Sequence, residues 1–354
     1  MTILVAILGL ILLIVIHELG HMLTAKAFGV RVPEFGIGFG PPIFKKQFGK
    51  TLYSFRIILL GGFAKIAGMP GDDDEGPDTY YAKAPWKRAL MIFAGPAVNL
   101  VFAALIFSAV FMIQGVPTSP NPQPEAEVRS VATGSMASDS GLQSGDELVA
   151  VGGQTVQSWE EFTGAIRERS PGDEVAITVE RDGQERKITG ELGSAANDPD
   201  QAQVGITPSI GEVTHSPFVA LWEGSQRTVQ FIGIYISGLV QLVTGELNFF
   251  ENVSGPVGIT TISSEAISTG VYSALGMLAI VSMILGVMNL LPVLPLDGGH
   301  LLMLLIEKIQ GKPVTEATMG KIATVGIMLF LTLMLFATYA DISKIITGTP
   351  FIPQ

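Results

Sequence analysis

Ile16-His17-Glu18-Leu19-Gly20-His21 stands near the end of the apolar run Thr2–Ala27. On a helix, His17 and His21 are four positions apart, so both imidazoles leave one face about one turn apart and can share a tetrahedral Zn²⁺. Glu18 lies beside them. In the H-E-x-x-H arrangement its carboxylate accepts a proton from metal-bound water, whose pKa the metal lowers from about 15.7 to roughly 7. The pattern points to metal-assisted hydrolysis. It also arises by chance in soluble helices, and the setting separates the two readings: residues 3–16 carry no charge and read as a membrane span. Two histidines and a glutamate at bilayer depth are costly and are usually kept for a functional reason.

The 354 residues allow two or three domains, and 48% hydrophobic residues with a mean hydropathy of +0.46 are too apolar for an ordinary soluble protein. A net charge of -11, concentrated in 72–78 and 125–212, argues against a nucleic-acid partner. The absence of cysteine excludes disulfides, thiolate metal ligands and thiol nucleophiles. The first apolar run has no basic leader and no A-x-A cleavage site, so it is expected to be retained as span one, residues 1–28.

Lys26, Arg31, Lys45, Lys46, Lys50, Arg56, Lys65, Lys83, Lys87 and Arg88 lie between the first two apolar runs. By the positive-inside rule that side is cytoplasmic and the first span starts outside. Within 29–88, Phe35, Ile37 and Phe39 alternate with glycines, and 51–60 is rich in β-branched and aromatic residues around a Phe48-Gly49-Lys50 turn. A small membrane-associated β-hairpin or sheet is predicted, where Gly61-Gly62 lets the backbone approach another chain closely. A hairpin that only packs on the helix ends is the plainer alternative. Residues 71–79 form an acidic loop, 89–114 a second span carrying Gly95-Pro96 and Asn99, and 115–124 a proline-rich linker. For Asn99, helix–helix packing is the default expectation.

From 125 to 208 the composition becomes that of a soluble α/β module. Strands are expected at 128–131, 147–151 and 175–181, and Ser158 caps a helix from Trp159 to Arg169 with Glu161 at the capping-box position. Gly141-Leu142-Gln143-Ser144-Gly145-Asp146, the Gly152-Gly153 turn, the Trp159 helix and Pro171-Gly172 before a valine-rich strand resemble a bacterial PDZ domain. The usual alanine and proline are replaced by Ser140 and Ser144. That resemblance implies an extended peptide as ligand, added to a sheet edge.

Residues 209–253 include the apolar stretch 218–243, interrupted by Glu223, Gln226, Arg227, Gln230 and Gln241. An interfacial amphipathic helix that does not cross is expected, because a crossing would place the next span's end on the wrong side of the membrane from His17. A loop at 254–271 then leads to a third span at 272–306, a cytoplasmic turn at 307–321, a fourth span at 322–346 and a tail at 347–354. Asp297 is the sole acid from 271 to 306. Pro292 and Pro295 break the helix before it and glycines follow it, so its carboxylate can turn inward, where a divalent cation would neutralise it. Two histidines and one carboxylate leave a fourth position open, the pattern of a catalytic site. His300 is a competing ligand.

Together these stretches resemble the site-2 protease family of intramembrane zinc metalloproteases, most closely its bacterial RseP-like branch with a single PDZ domain. The resemblance runs through His17 to His21, Leu60-Gly61-Gly62-Phe63-Ala64-Lys65, Gly95-Pro96-Ala97-Val98-Asn99, the PDZ module, Ser254-Gly255-Pro256-Val257-Gly258, and Asn289 to Gly299. It implies a polytopic α-helical membrane protein with four transmembrane helices, a membrane-associated β-region and an inserted extracytoplasmic PDZ domain. It implies Zn²⁺ on His17, His21 and Asp297, with Glu18 as acid/base. It implies that Gly61 and Gly62 help present substrate, and that Asn289 and Pro292 line its path. The family's usual tyrosine and valine are Phe63 and Ala64 here.

The expected function is cleavage of a single-pass membrane protein, such as an anti-sigma factor or signal-peptide remnant, within or near the bilayer of the cell membrane. The active site is expected towards the cytoplasmic side. The alternative is a zinc-binding membrane scaffold that recruits partners through its PDZ domain, which would have no need of Glu18. A metallopeptidase of another family would take a downstream acid such as Glu246 or Glu251 as third ligand, but both are expected outside the membrane.

Overall fold

The computed structural model describes residues 2–69, 76–117, 125–195, 198–209, 213–312 and 314–347, together with 349 and 351. Most of the expected acidic loop and of the proline-rich linker lies outside the described residues. The chain divides into two compact units, 1–113 with 217–353, and 114–216.

In the first unit, α1 (Thr2–Ala27) is followed by β1 (Glu34–Phe48), β2 (Thr51–Lys65) and α2 (Pro85–Gln114). β1 and β2 are joined through Gly49, whose φ of 60° suits glycine. The ribbon folds back on itself: 34–37 lies between 52–55 and 62–65, antiparallel to the latter, and 44–48 pairs with 51–55. The stretch 62–65 is thereby left at an edge.

The insert contains β3 (Val116–Pro117), β4 (Glu125–Val131), α3 (Met136–Ser140), β5 (Glu147–Val151), β6 (Gln154–Thr155), α4 (Trp159–Arg167), β7 (Glu174–Arg181), β8 (Gln184–Glu191), β9 (Gly193–Ala195), β10 (Asp198–Gln203), β11 (Ile206–Ser209) and β12 (Val213–Thr214). Its main sheet runs β11-β4-β5-β7-β8, with β6 on β5. Alternation in β7 puts Val175, Ile177 and Val179 into a core with Leu148, Val151, Phe162 and Ile166. Ser158 accepts the Glu161 N–H at 3.2 Å, and Glu161 accepts the Gln157 N–H at 2.8 Å, so the box closes one residue outside the cap. Ser140 and Ser144 turn their hydroxyls onto the Met136 and Arg129 carbonyls. β3 pairs with β12, so the chain enters and leaves the insert at one place.

The first unit resumes with α5 (Pro217–Thr244), α6 (Phe249–Asn252), α7 (Pro256–Thr269), α8 (Val271–Asn289), α9 (Asp297–Gln310) and α10 (Glu316–Thr347). Among the described residues, four helices are long and apolar enough to cross a membrane: α1, α2, α8 and α10. This is a multi-pass membrane protein with an added β-rich region. α5 packs Gly224 on Ala104 and Ser108, Arg227 over Phe111, and Phe231 on Phe107, making no net advance along α2. It therefore crosses α2 rather than running beside it.

One expectation is corrected. The stretch 254–271 is not a loop, because Pro256 starts α7 at its first turn. The Asp341 carboxylate on α10 accepts the N–H groups of Gly255 and Gly258 at 3.0 and 2.8 Å, satisfying the helix start from another element. A side chain at either glycine would meet α10 or its aspartate. The region 272–306 breaks at its prolines, as their positions led one to expect: α8 ends at Asn289, a turn carrying both prolines follows, and Asp297 begins a new helix.

Candidate active site

α1 and α2 approach closely where Gly20 faces the Ala94 carbonyl, a contact any side chain at 20 would block. Gly95 then faces the imidazoles: a Cβ there would collide with His21 Nε2 and crowd His17 Nε2. The glycine of Gly95-Pro96 is thus the floor of the site.

Three candidate ligand atoms converge. His17 Nε2 and His21 Nε2 are 3.2 Å apart, and Asp297 Oδ2 lies 3.1 and 3.4 Å from them. A tetrahedral zinc with bonds of about 2.0–2.1 Å keeps its ligands roughly 3.3 Å apart, so this cluster has the right dimensions. Both histidines are buried, and Asp297 Oδ2 is buried without a hydrogen-bond donor. An orphaned carboxylate oxygen facing two imidazole nitrogens fits a divalent cation. Among the described residues, His17, His21 and Asp297 form the group that can hold a metal; His300 and Glu246 are not in it.

Neighbouring groups select the tautomers. The His21 Nδ1–H donates to the Met91 carbonyl at 2.9 Å, leaving Nε2 with its lone pair facing the cluster. Asn99, fully buried, places its amide 3.2 Å from His17 Nδ1, and its Oδ1 as assigned has no partner. Exchanging amide oxygen and nitrogen lets Oδ1 accept the Nδ1–H of His17, which frees Nε2 for a metal. Ser282 of α8 donates to the Asn99 backbone carbonyl at 2.8 Å, fixing α8 to α2 at this level. Packing was the expected role of Asn99; its contact with the histidine depends on the α1–α2 crossing and has no local signal beyond an amide in a span.

Glu18 Oε2 accepts the Ala64 N–H at 2.9 Å, so the edge of the sheet faces the glutamate. Gly62 lies two residues back on the same side, and a Cβ there would sit 3.5 Å from Glu18 Cγ and 3.4 Å from Ile14. Gly61 has φ +152°, and a side chain there would strike Phe39. At the base of this sheet, burial would raise the Glu34 carboxyl, but hydrogen bonds from Ser54 and Arg56 outweigh it and hold it below its ordinary value. The structure brings His17, Glu18, His21, Gly62 and Asp297 together. It leaves Asn289 bonded to the Leu285 carbonyl of its own helix, and Pro292 exposed.

A cluster of two histidines and a carboxylate among helices of spanning length, with an H-E-x-x-H glutamate beside it, defines an intramembrane zinc metalloprotease. The chain belongs to peptidase family M50, whose profile matches residues 5–333. It is 30% identical to the zinc metalloprotease RasP of Oceanobacillus iheyensis, over 94% of this chain and 96% of that protein. It is 27% identical to the regulator of sigma-W protease RasP of Bacillus subtilis, with the same coverage. The PDZ domain of an SdrC-like protein from Listeria monocytogenes matches 26% of this chain and 92% of its own length at 23% identity, with a TM-score of 0.22.

Proposed function

We propose that the metal is zinc, held by His17 Nε2, His21 Nε2 and Asp297, and that Glu18 is the general acid/base. The buried, donorless Asp297 Oδ2 against two imidazoles carries this reading. Zinc held there supplies a Lewis acid for the scissile carbonyl. Glu18 takes a proton from the attacking water and returns it to the leaving nitrogen. Met91 and Asn99 hold the imidazoles in the required tautomers.

The substrate is a single-pass membrane protein cut within or near its membrane segment. A membrane helix resists hydrolysis because its peptide groups are already bonded and water is scarce, so the segment unwinds. The open edge at Gly62 and Ala64 pairs with it as an added strand beside Glu18, with Gly61 shaping that edge and Asn289 and Pro292 lining the approach. The Bacillus subtilis relative is named for sigma-W regulation, which supports an anti-sigma factor; a signal-peptide remnant offers the same extended apolar segment. Co-expression of wild type and Glu18→Gln with tagged membrane proteins tests this. Cuts inside the membrane segment that Glu18→Gln abolishes are expected, and cuts confined to soluble domains would refute it.

The positive charges at 26–88 support an active site towards the cytoplasm and an insert outside, with α5 along the outer interface. Single cysteines at Ser216 and Ser254 should both label from outside; labelling from opposite sides would sink this topology. The insert is a PDZ domain, a reading supported by β11 at a sheet edge beside a groove of about 230 Å³ against α4, lined by Trp159, Phe162, Ile166, Val204 and Ile206. It acts as a filter that excludes substrates with bulky outer domains until another protease trims them. Replacing 125–208 by a flexible linker should make untrimmed substrate cleavable; slower cutting of trimmed substrate would instead favour capture of a new C-terminus.

A further inference from the structure

Asp297 reaches the two histidines from a helix with no continuous link to a span. α8 ends at Asn289, the turn holds Pro292 and Pro295, and α9 starts at Asp297 itself. Something other than covalent continuity must keep α9 in place. At its far end, Glu307 is held by two bonds from Arg88 of α2, Nη1 to Oε2 at 3.0 Å and Nη2 to Oε1 at 2.7 Å. The Arg88 side chain is 5% exposed, and its guanidinium lies 5.7 and 5.4 Å from the ring centres of Tyr80 and Tyr81. This is a desolvated, two-pronged contact with fixed geometry.

The spacings on the two helices correspond. Asp297 to Glu307 rises about 15 Å along α9, while Arg88 to Asn99 rises roughly 16 Å along α2. Between those α2 positions lie Met91, which bonds His21, and Gly95, which faces both imidazoles. α9 therefore runs antiparallel to α2 and is attached at both ends, by Asp297 at the histidines and by Glu307 at Arg88. Leu301 and Leu304 pack between the two attachments, on the cluster that includes Met91 and Ile92.

We infer that Arg88 and Glu307 are positioning residues for the metal centre: their ion pair sets the register of α9 on α2, so that the Asp297 carboxylate arrives at the same site as the imidazoles that α2 orients. The inference rests on the ligand assignment proposed above. Removing the pair leaves α9 hinged on a proline turn and held by apolar packing, which permits sliding.

The test uses purified full-length protein, with zinc affinity measured by chelator competition and the visible spectrum recorded after loading with Co²⁺. Arg88→Gln and Glu307→Gln should each weaken zinc binding by about 2- to 30-fold, the range of coupling carried through packed elements, alter the Co²⁺ bands, and lower kcat more than they raise KM. The double variant should bind zinc no more weakly than the weaker single, because the two groups act as one pair. Wild-type affinity and spectra in both singles, or losses that simply add, overturn the inference. If Arg88→Gln is not recovered folded, Arg88→Lys, which keeps the charge without the fork, and Glu307→Gln carry the same readings. Asp297→Ala measured in parallel separates the two levels: retained zinc there defeats the ligand assignment, whereas zinc lost there but kept in Arg88→Gln and Glu307→Gln defeats the positioning role alone.

Discussion

Asp146 in the insert and Asp297 among the membrane helices are both carboxylates taken out of water, and their surroundings are opposites. Asp146 is fully buried; Arg181 donates to its two oxygens at 2.5 and 2.7 Å, and the Gln143 N–H adds a third bond at 2.9 Å. Asp297 Oδ2 meets two imidazole nitrogens and no donor. A carboxylate with donors on both oxygens holds a fold together, and one left facing other electron pairs fits a cation. The same residue type is a bolt in one unit and a candidate metal ligand in the other.

The comparison breaks first at Gly95. Gly95→Ala drives a methyl group into both imidazoles and should abolish metal binding and proteolysis, while hydrogen exchange across 125–195 stays at the wild-type level. Exchange that rises in the insert as well would mean that the site and the module fold as one unit. Next in size, Glu18→Gln should lower cleavage by about 10²- to 10⁴-fold with zinc content nearly unchanged. Asp297→Ala should lose the zinc, and metal analysis of the two proteins side by side separates chemistry from ligation.

A smaller effect is expected in the insert. Arg181→Gln leaves a buried carboxylate unpaired and should cost about 3 kcal/mol, read as faster exchange in 125–195 with unaltered zinc affinity. The same pair makes the insert acid-sensitive. Burial would raise the Asp146 carboxyl, but the Arg181 and Gln143 hydrogen bonds outweigh it and lower it below its ordinary value. Its contribution is therefore complete above the ordinary carboxylate pKa, about 3.9, and is lost as pH falls through the lowered folded value. Protection of the insert should decline in that range in wild type and be nearly flat in Asp146→Asn. Smallest of all, Ser158→Ala removes a helix cap and should cost about 1 kcal/mol, confined to α4.

Residue order alone carried the four spans, the hairpin turn and three strands of the insert, those found as β4, β5 and β7, because each depends on local period and turn chemistry. It also singled out His17, Glu18 and His21 as candidates, since helical spacing puts the two histidines on one face, and Asp297, since an isolated acid in an apolar region demands a partner. The helix at 256–269 was hidden for the complementary reason. Its start is capped by Asp341, more than eighty residues away, and its polar residues blur the apolar period. Asn99 looked like packing until α1 and α2 crossed and brought its amide to His17, and Arg88 and Glu307, 219 residues apart, had no signal as a pair. Contacts of that kind belong to no stretch of the chain: they exist only when separate helices meet, which is why packing rather than residue order decided which side chains bear on the candidate metal site.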